Sequence, residues 1–279
     1  MLGGVRGAPW RGCMAKVSVI IAAYNAAGTV ADCLDSLIQQ SLSDWEAILV
    51  DDASTDSTAV VVERYLTDPR ILYVRLRHNV GSGAARNIAL AKATSDLVAV
   101  LDADDIALPG RLERQYEEFL ADPDLVVLGA QVAEFGLWGG PQVRNRPTDG
   151  AELERLLRAG KMPIAHNASM YRRSAVLAVG GYDEACRRAQ DFALLRRLGG
   201  RGVRAIDAVL LLYRTERPVS FRYVVMSGRY GRLARRRTSG PRGAKARYRG
   251  LPWSLTTDAR SAVTWLRRRL VEKAERPTP

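Results

Sequence analysis

The chain of 279 residues is poor in cysteine and poorer in histidine: Cys13, Cys33 and Cys186 are its three cysteines, His78 and His166 its two histidines. An odd set of widely spaced cysteines fits neither a disulfide framework nor a zinc site, and two distant histidines exclude a histidine-rich metal centre. Long apolar runs are missing as well, with nothing near the ~20 residues that a membrane-spanning helix needs. The opening MLGGVRGAPWRGC has no apolar centre of the kind a secretory signal carries, and Met14 stands just before the first apolar run. Residues 1–15 are therefore expected to be a loose arm, and the expected setting is cytoplasmic. Acidic residues are scarce in one region only. From Phe221 to the end there are 16 Lys/Arg against 3 Asp/Glu, whereas residues 1–220 hold 26 against 27. A neutral body carries a strongly basic tail, which suits anionic lipid, nucleic acid, an acidic partner or plain solvation.

What is present is globular: 47% hydrophobic and 26% charged residues, enough for a real core. KVSVIIAAY (16–24) is a continuous β-branched run, as in a parallel strand buried on both faces. Val30, Leu34, Leu37 and Ile38 then recur at helical spacing. Strands are expected at 45–50, 71–76, 97–101 and 125–132, with helices at 56–65, 83–93 and 110–120 between them. This alternation predicts an α/β fold with a mostly parallel sheet flanked by helices. Beyond Ala133 the pattern loosens: helices are expected near 152–159, 174–179 and 189–198, and strands at 164–171 and within 203–213.

In such a sheet, ligands gather at the carboxyl ends of the strands. Tyr24-Asn25, Asp51-Asp52 and the cluster Asp102, Asp104, Asp105 all fall at strand ends. The cluster reads either as a polar turn capping the next helix or as a divalent-cation site, in which the metal converts like-charge repulsion into binding. Asp51-Asp52 has a competing reading as an Asx turn before the next helix. Gly81-Ser82-Gly83 opens a helix with Asp102 19 residues beyond Gly83, imitating a dinucleotide fingerprint. It sits in the third strand–helix turn rather than the first, and its acidic group is a cluster, which argues against a dehydrogenase.

KVSVIIAAYN, ILVDDASTDST, HNVGSGAARNIAL and VAVLDADD, in this order and spacing, resemble the family 2 glycosyltransferases of GT-A (Rossmann-like) fold, over about residues 16–215. GGYDE (180–184) and AQDFALLRRL (189–198) resemble the family's acceptor-side segment, with Gln190-Asp191 where an acidic pair is usual. The resemblance implies a nucleotide-sugar-binding half over 16–132, an acceptor-side half over 133–220, and a basic, mainly helical tail over 221–279. It implies a donor nucleotide held along Ala23, Tyr24, Asn25, Asp51, Asp52, Arg86, Asp102 and Ala103. In that role Tyr24 packs on a uracil or thymine base, while Asp51 or Asp52 accepts its imide N–H. Mn²⁺ or Mg²⁺ is implied at Asp104, beside Asp102. Asp191 is implied as catalytic base, with His166, Gly181, Tyr182 and Gln190 on the acceptor side.

Relatives often follow the last strand with Tyr-Arg-x-His, whose histidine completes the metal site. Here Tyr213-Arg214-Thr215-Glu216 leaves Glu216 as the candidate oxygen ligand. The Gln-x-x-Arg-Trp signature of processive relatives is missing. The implied activity is thus inverting transfer of one sugar from a UDP- or dTDP-sugar to an acceptor hydroxyl. That acceptor is a lipid-linked saccharide, a polysaccharide end or a small natural product. DARSAVTWLRRRLVEK (258–273) reads as a basic amphipathic helix suited to a membrane surface, the inner face of the cell membrane for a cytoplasmic enzyme. Two other classes stand beside the enzyme: a non-catalytic glycosyltransferase-like binding protein, and a nucleic-acid-binding protein acting through its tail.

Overall fold

The structure, a computed structural model, describes residues 2–6, 14–200, 202–216, 219–239, 263, 265 and 266. In chain order the strands are β1 (Leu2–Arg6), β2 (Val17–Ala23), β3 (Trp45–Asp51), β4 (Ile71–Leu76), β5 (Leu97–Asp102), β6 (Ile106–Ala107), β7 (Val127–Gly136), β8 (Gly139–Arg144), β9 (Met170–Arg172) and β10 (Val203–Arg214). The helices are α1 (Val30–Ile38), α2 (Thr58–Glu63), α3 (Ser82–Lys92), α4 (Arg111–Ala121), α5 (Gly150–Arg158), α6 (Arg173–Ala178), α7 (Gln190–Leu198) and α8 (Phe221–Arg237). Among the described residues one ten-stranded sheet runs β1-β4-β3-β2-β5-β9-β7-β10-β6, with β8 paired to β7. β4, β3, β2 and β5 are mutually parallel, as are β7 and β10.

Alternation along β2 divides the core into two layers. Val17, Val19 and Ile21 face α1, whose Cys33, Leu34 and Leu37 pack against them. Ile20 faces the other way, with Val98 and Val100 of β5 and Ala85, Ala89 and Leu90 of α3. The small side chains of α3 bring its backbone close to the sheet and set its first turn at the strand ends. Cys33 and Cys186 are both buried and free. No helix among the described residues is long and apolar enough to cross a membrane.

Four expectations are corrected. The segment expected to be a loose arm contains β1, which pairs antiparallel with β4 as an edge strand. The strand expected over 164–171 is instead a 3₁₀ turn, His166–Ala168, followed by β9. Its polar side chains bond locally or reach into the site, and Ser169 Oγ donates to the Ala165 carbonyl at 2.7 Å. β7 runs on to Gly136 and turns into β8, a hairpin made possible by positive φ at Gly139 and Gly140. The first helical turn near Pro109 is not capped by an aspartate; Gly110, at φ 81°, precedes α4. Of the helix expected over 258–273, only residues 263, 265 and 266 lie within the described residues, and the arginine-dense stretch is described only as far as Ser239.

A Cβ placed on Gly129 of β7 would stand 2.9 Å from Cβ and Cγ2 of Ile164. Gly129→Ala is expected to lower stability by about 1–3 kcal/mol through overpacking. The urea midpoint should fall with an unchanged slope; an unshifted midpoint would show that Ile164 yields freely.

Candidate active site at the strand ends

Parallel register brings the site together. Ala23 of β2 is level with Asp51 of β3, and Ala22 is level with Asp102 of β5. After Asp102 the chain turns sharply, Asp105 N donating to the Asp102 carbonyl at 3.1 Å. The turn gathers the carboxylates of Asp102, Asp104 and Asp105 within 4.8 Å of one another.

The three carboxylates have different fates. Asp105 is fully buried, accepting from Arg214 N at 2.9 Å and from Asn167 Nδ2 at 2.5 Å. Burial, then the charges of Asp102 and Asp104, hold its carboxyl well above the usual range. Asp102 is half-buried and accepts from Arg86 Nη2 at 2.5 Å. Asp104 reaches solvent, yet the surrounding protein mass and then the Asp102 charge push its carboxyl up to about 6. Asp102 and Asp104 are therefore the outward-facing pair, a hard-oxygen donor set whose repulsion a divalent cation would relieve. Glu216 is not part of this group of carboxylates and lies exposed past the end of β10. Arg214 occupies the neighbouring place: its Nε donates to the Asp104 carbonyl at 2.9 Å and its Nη2 to Asp32 at 2.7 Å.

Arg86, on α3, is 4% exposed. Its Nε and Nη1 are buried with no hydrogen-bond partner among the described residues. A buried guanidinium with two unanswered N–H groups beside a carboxylate cluster is a ready contact for an anion. Tyr182, itself buried, lies with its ring centroid 5.8 Å from that guanidinium. His166 accepts or donates on both ring nitrogens, to Tyr171 Oη at 2.7 Å and Tyr182 Oη at 3.1 Å. Burial, then the Arg86 charge, hold it well below its ordinary pKa, so it is neutral. His166 is thus a buried support for two tyrosines rather than a surface group.

Asp191 opens α7, half-buried, and accepts from Phe192 N at 2.8 Å. Burial raises its pKa against the opposing Phe192 N–H and Arg86 charge. Gln190 donates from Nε2 to Ser82 Oγ at 3.0 Å and leaves its buried Oε1 without a partner among the described residues. Gly181 has φ 67°, and a Cβ there would stand 2.6 Å from Asn87 Oδ1, which accepts from Tyr182 N. α3 is thereby locked to the segment leading into α7.

The two aspartates after β3 separate cleanly. Asp51 is wholly buried, its Oδ1 accepting from Ser54 N at 2.8 Å and its Oδ2 from Tyr73 Oη at 2.6 Å. It is the Asx-type turn former and has no exposed oxygen for a ligand. Asp52 accepts from Val80 N at 2.7 Å and Gly81 N at 2.8 Å, fixing the loop before α3, and burial raises its pKa. Ala23 gives its carbonyl to Asp52 N, and Ala103 gives its carbonyl to Thr29 Oγ1. Tyr24 is 52% exposed above this edge, and Asn25, at φ 52°, accepts from Thr55 N. Asn167, Arg214 and the fully buried Arg111, whose Nη2 donates to the Val100 carbonyl at 2.7 Å, were not singled out from the sequence. The only signal was their place in PIAHNASM, in YRTE and just after the aspartates.

Two outcomes follow from this geometry. Asn167→Ala, which strips a donor from buried Asp105, should cost about 1–3 kcal/mol in denaturant unfolding. Asp104 is less welcome ionised in the fold than in the unfolded chain. Its contribution to stability is therefore full below the ordinary 3.8 and is lost as pH rises through about 6. In divalent-free buffer Asp104→Asn should be more stable than the parent at pH 7, with the gap closing between about 6 and 3.8. A gap that does not vary with pH would contradict the assignment.

The family model described as glycosyl transferase family 2 matches residues 18–180. EpsE of Bacillus subtilis (strain 168), assigned by name to the glycosyltransferases, is 33% identical over 206 residues, 71% of this chain and 72% of EpsE. The amylovoran biosynthesis glycosyltransferase AmsE of Erwinia amylovora is 33% identical over 168 residues, covering 59% of this chain and 63% of AmsE. The fold is similar to that of TarS from S. aureus in complex with UDP, with a TM-score of 0.60 at 21% identity over 91% of this chain and 72% of that one. It is also similar to the mannosyltransferase PcManGT from Pyrobaculum calidifontis, solved with GDP-Man and Mn²⁺, with a TM-score of 0.63 at 21% identity over 94% of this chain and 78% of that one. A family match that spans more than half of the chain, on a fold whose strand ends carry the expected aspartates, makes this protein a member of glycosyl transferase family 2.

Proposed function

We propose that the chain transfers one sugar, with inversion, from a nucleoside-diphosphate sugar to an acceptor hydroxyl, in the building of a cell-envelope polysaccharide, a glycolipid or a glycosylated natural product. The observation that carries this is the grouping of Asp102 and Asp104 with the two unpartnered N–H groups of buried Arg86, near enough to Asp191 for the Arg86 and Asp102 charges to act on it. Asp104 and Asp102 would hold Mn²⁺ or Mg²⁺. Bound there, the cation supplies neutralising charge to the departing nucleoside diphosphate.

On this reading the chain's own residues do the rest. Arg86, anchored on Asp102, offers Nε and Nη1 to the diphosphate. Asp52, 3% exposed where Asp51 is 0%, keeps lone pairs beyond the two it uses on Val80 and Gly81 and is the one of the pair that a base N–H would reach. Exposed Tyr24 covers that base, and a UDP- or dTDP-sugar is the favoured donor. Asp191 takes the proton of the acceptor hydroxyl as its oxygen attacks the anomeric carbon. The bond from that carbon to the phosphate oxygen breaks, its electron pair leaving with the nucleoside diphosphate. A base with a raised pKa is suited to this transfer near neutral pH. Gln190, Gly181 and Tyr182 line the acceptor approach, with His166 behind them. The acceptor is a lipid-linked saccharide, a polysaccharide end or a small molecule, and contact with the inner membrane face through 221–279 belongs to the same reading. In UDP, TarS has a nucleotide of the favoured class; in Mn²⁺, PcManGT has the proposed metal.

Calorimetric titration with UDP, dTDP and GDP, each with and without Mn²⁺, tests the donor site. Metal-dependent binding of one nucleotide is expected, and its loss in Asp104→Asn. Asp191→Asn should keep that binding while turnover drops by about 10²–10⁴-fold. Undiminished turnover in that variant would remove Asp191 as base, and no binding of any nucleotide would remove the donor site altogether.

A further inference from the structure

The turn Gly81-Ser82-Gly83 opens α3, and one segment of the acceptor side reaches all three of its residues. A Cβ on Gly83 would stand 3.5 Å from Cβ of Gln190 and 3.6 Å from Cβ of Tyr182. Ser82 Oγ accepts from Gln190 Nε2 at 3.0 Å. A Cβ on Gly81, which has φ 92°, would stand 3.8 Å from Cγ of Arg187. Residues 182–190 therefore lie across the turn.

The same turn holds Asp52, whose carboxylate accepts from Val80 N at 2.7 Å and from Gly81 N at 2.8 Å. Gly81 thus meets the Asp52 carboxylate through its N–H and the stem of Arg187 near its Cα. Burial raises the Asp52 carboxyl, and the two amides and the Arg187 charge pull it back. Arg187 is exposed, and among the described residues its guanidinium makes no hydrogen bond or ion pair. Its five N–H donors are free for a ligand that Asp52 also touches.

The chemistry of an imide says what such a pair would read. The imide N–H of uracil or thymine lies between two carbonyl groups. A carboxylate that accepts this proton is brought against oxygens of like partial charge, so an aspartate alone reads an imide poorly. A guanidinium beside the carboxylate removes the conflict by donating to one of the carbonyls. The carbonyl at ring position 4 lies on the edge away from the ribose. Positions 3 and 4 of uracil then offer a donor and an acceptor to an acceptor and a donor. At the same two positions cytosine offers the reverse, a bare N3 and an amino group.

We propose that Arg187 is a donor-specificity residue supplied by the acceptor side: with Asp52 accepting the imide N–H of a uracil or thymine base, the Arg187 guanidinium donates to the carbonyl at position 4. The proposal rests on the donor-site reading of Asp52 and adds to it a residue from the other half of the chain.

The experiment is calorimetric titration of the full chain, of Arg187→Ala and of Arg187→Lys with UDP, CDP and GDP in Mn²⁺. Arg187 is exposed, so the thermal midpoints of the variants should match the parent's and show that the fold is kept. The parent is expected to prefer UDP. Arg187→Ala should bind UDP at least about tenfold more weakly while its affinity for CDP moves by less than about twofold. Arg187→Lys, which keeps the charge but not the planar fork, should recover only part of the loss. UDP binding that is undiminished in Arg187→Ala would overturn the proposal and leave the donor site standing. An equal loss for UDP and CDP, or full recovery with lysine, would overturn it too, since Arg187 would then act only as a charge near the diphosphate. So would a parent that prefers CDP or GDP. Binding of no nucleotide at all would remove the transferase reading, and this proposal with it.

Discussion

Three carboxylates crowded within 4.8 Å at the end of a buried strand set the terms for everything around them. Two unit charges at that separation repel by roughly 3 kcal/mol even at an effective dielectric of 20. The fold answers from four directions. Arg86 of α3 meets Asp102; Asn167 of the 3₁₀ turn and the backbone of Arg214 at the end of β10 meet Asp105. Arg111 in the first turn of α4 lies behind, and its guanidinium, lowered to about 10 by burial, is kept charged in part by Asp105. Each partner comes from a different element, so the cluster also fixes where α3, the 3₁₀ turn, α4 and β10 end relative to one another.

Backbone strain falls in the same places. Asn25, Ala53 and Ala189 are the non-glycine residues with positive φ among those described, and they follow β2, follow β3 and precede α7. Such conformations cost on the order of 1–3 kcal/mol and persist only where surrounding contacts enforce them. Here the contacts are visible: Asn25 is held by Ser54 and Thr55, and Ala53 is framed by the hydrogen bonds of Asp51 and Asp52. Ala189 is followed directly by Gln190, which bonds Ser82. The bends at these points turn Tyr24 outward and set Asp191 at the head of its helix.

The strand ends were legible because buried parallel strands announce themselves as unbroken β-branched runs, and the polar residues that stop them mark the sheet edge. KVSVIIAAY and LVAVLD became β2 and β5 with boundaries within a residue or two. Pattern could not tell Asp51 from Asp52. They are neighbours of identical chemistry and both buried, and the first is turned inward to the Ser54 amide and the Tyr73 hydroxyl reaching across from β4, the second to the amides of Val80 and Gly81. Nor could periodicity find the 3₁₀ turn at His166, because its side chains are claimed by Tyr171, Tyr182 and Asp105, partners close in space whose geometry no spacing rule encodes.

The departure at Glu216 takes on a physical meaning once Arg214 is placed. Beside the exposed Glu216, the Arg214 guanidinium closes the corner next to the aspartates, spanning the Asp104 carbonyl and Asp32. Arg86 stands on one side of the aspartates, Arg214 on the other, and Arg111 behind. Three cations already face three carboxylates, so an added divalent ion gains less from the cluster alone than the bare count of aspartates suggests. The missing attraction would come from a diphosphate, whose negative charge would answer both the unpartnered N–H groups of Arg86 and a cation held at Asp102 and Asp104. On the proposed reading, cation and nucleotide therefore stabilise each other's binding, and the affinity of either alone understates that of the pair.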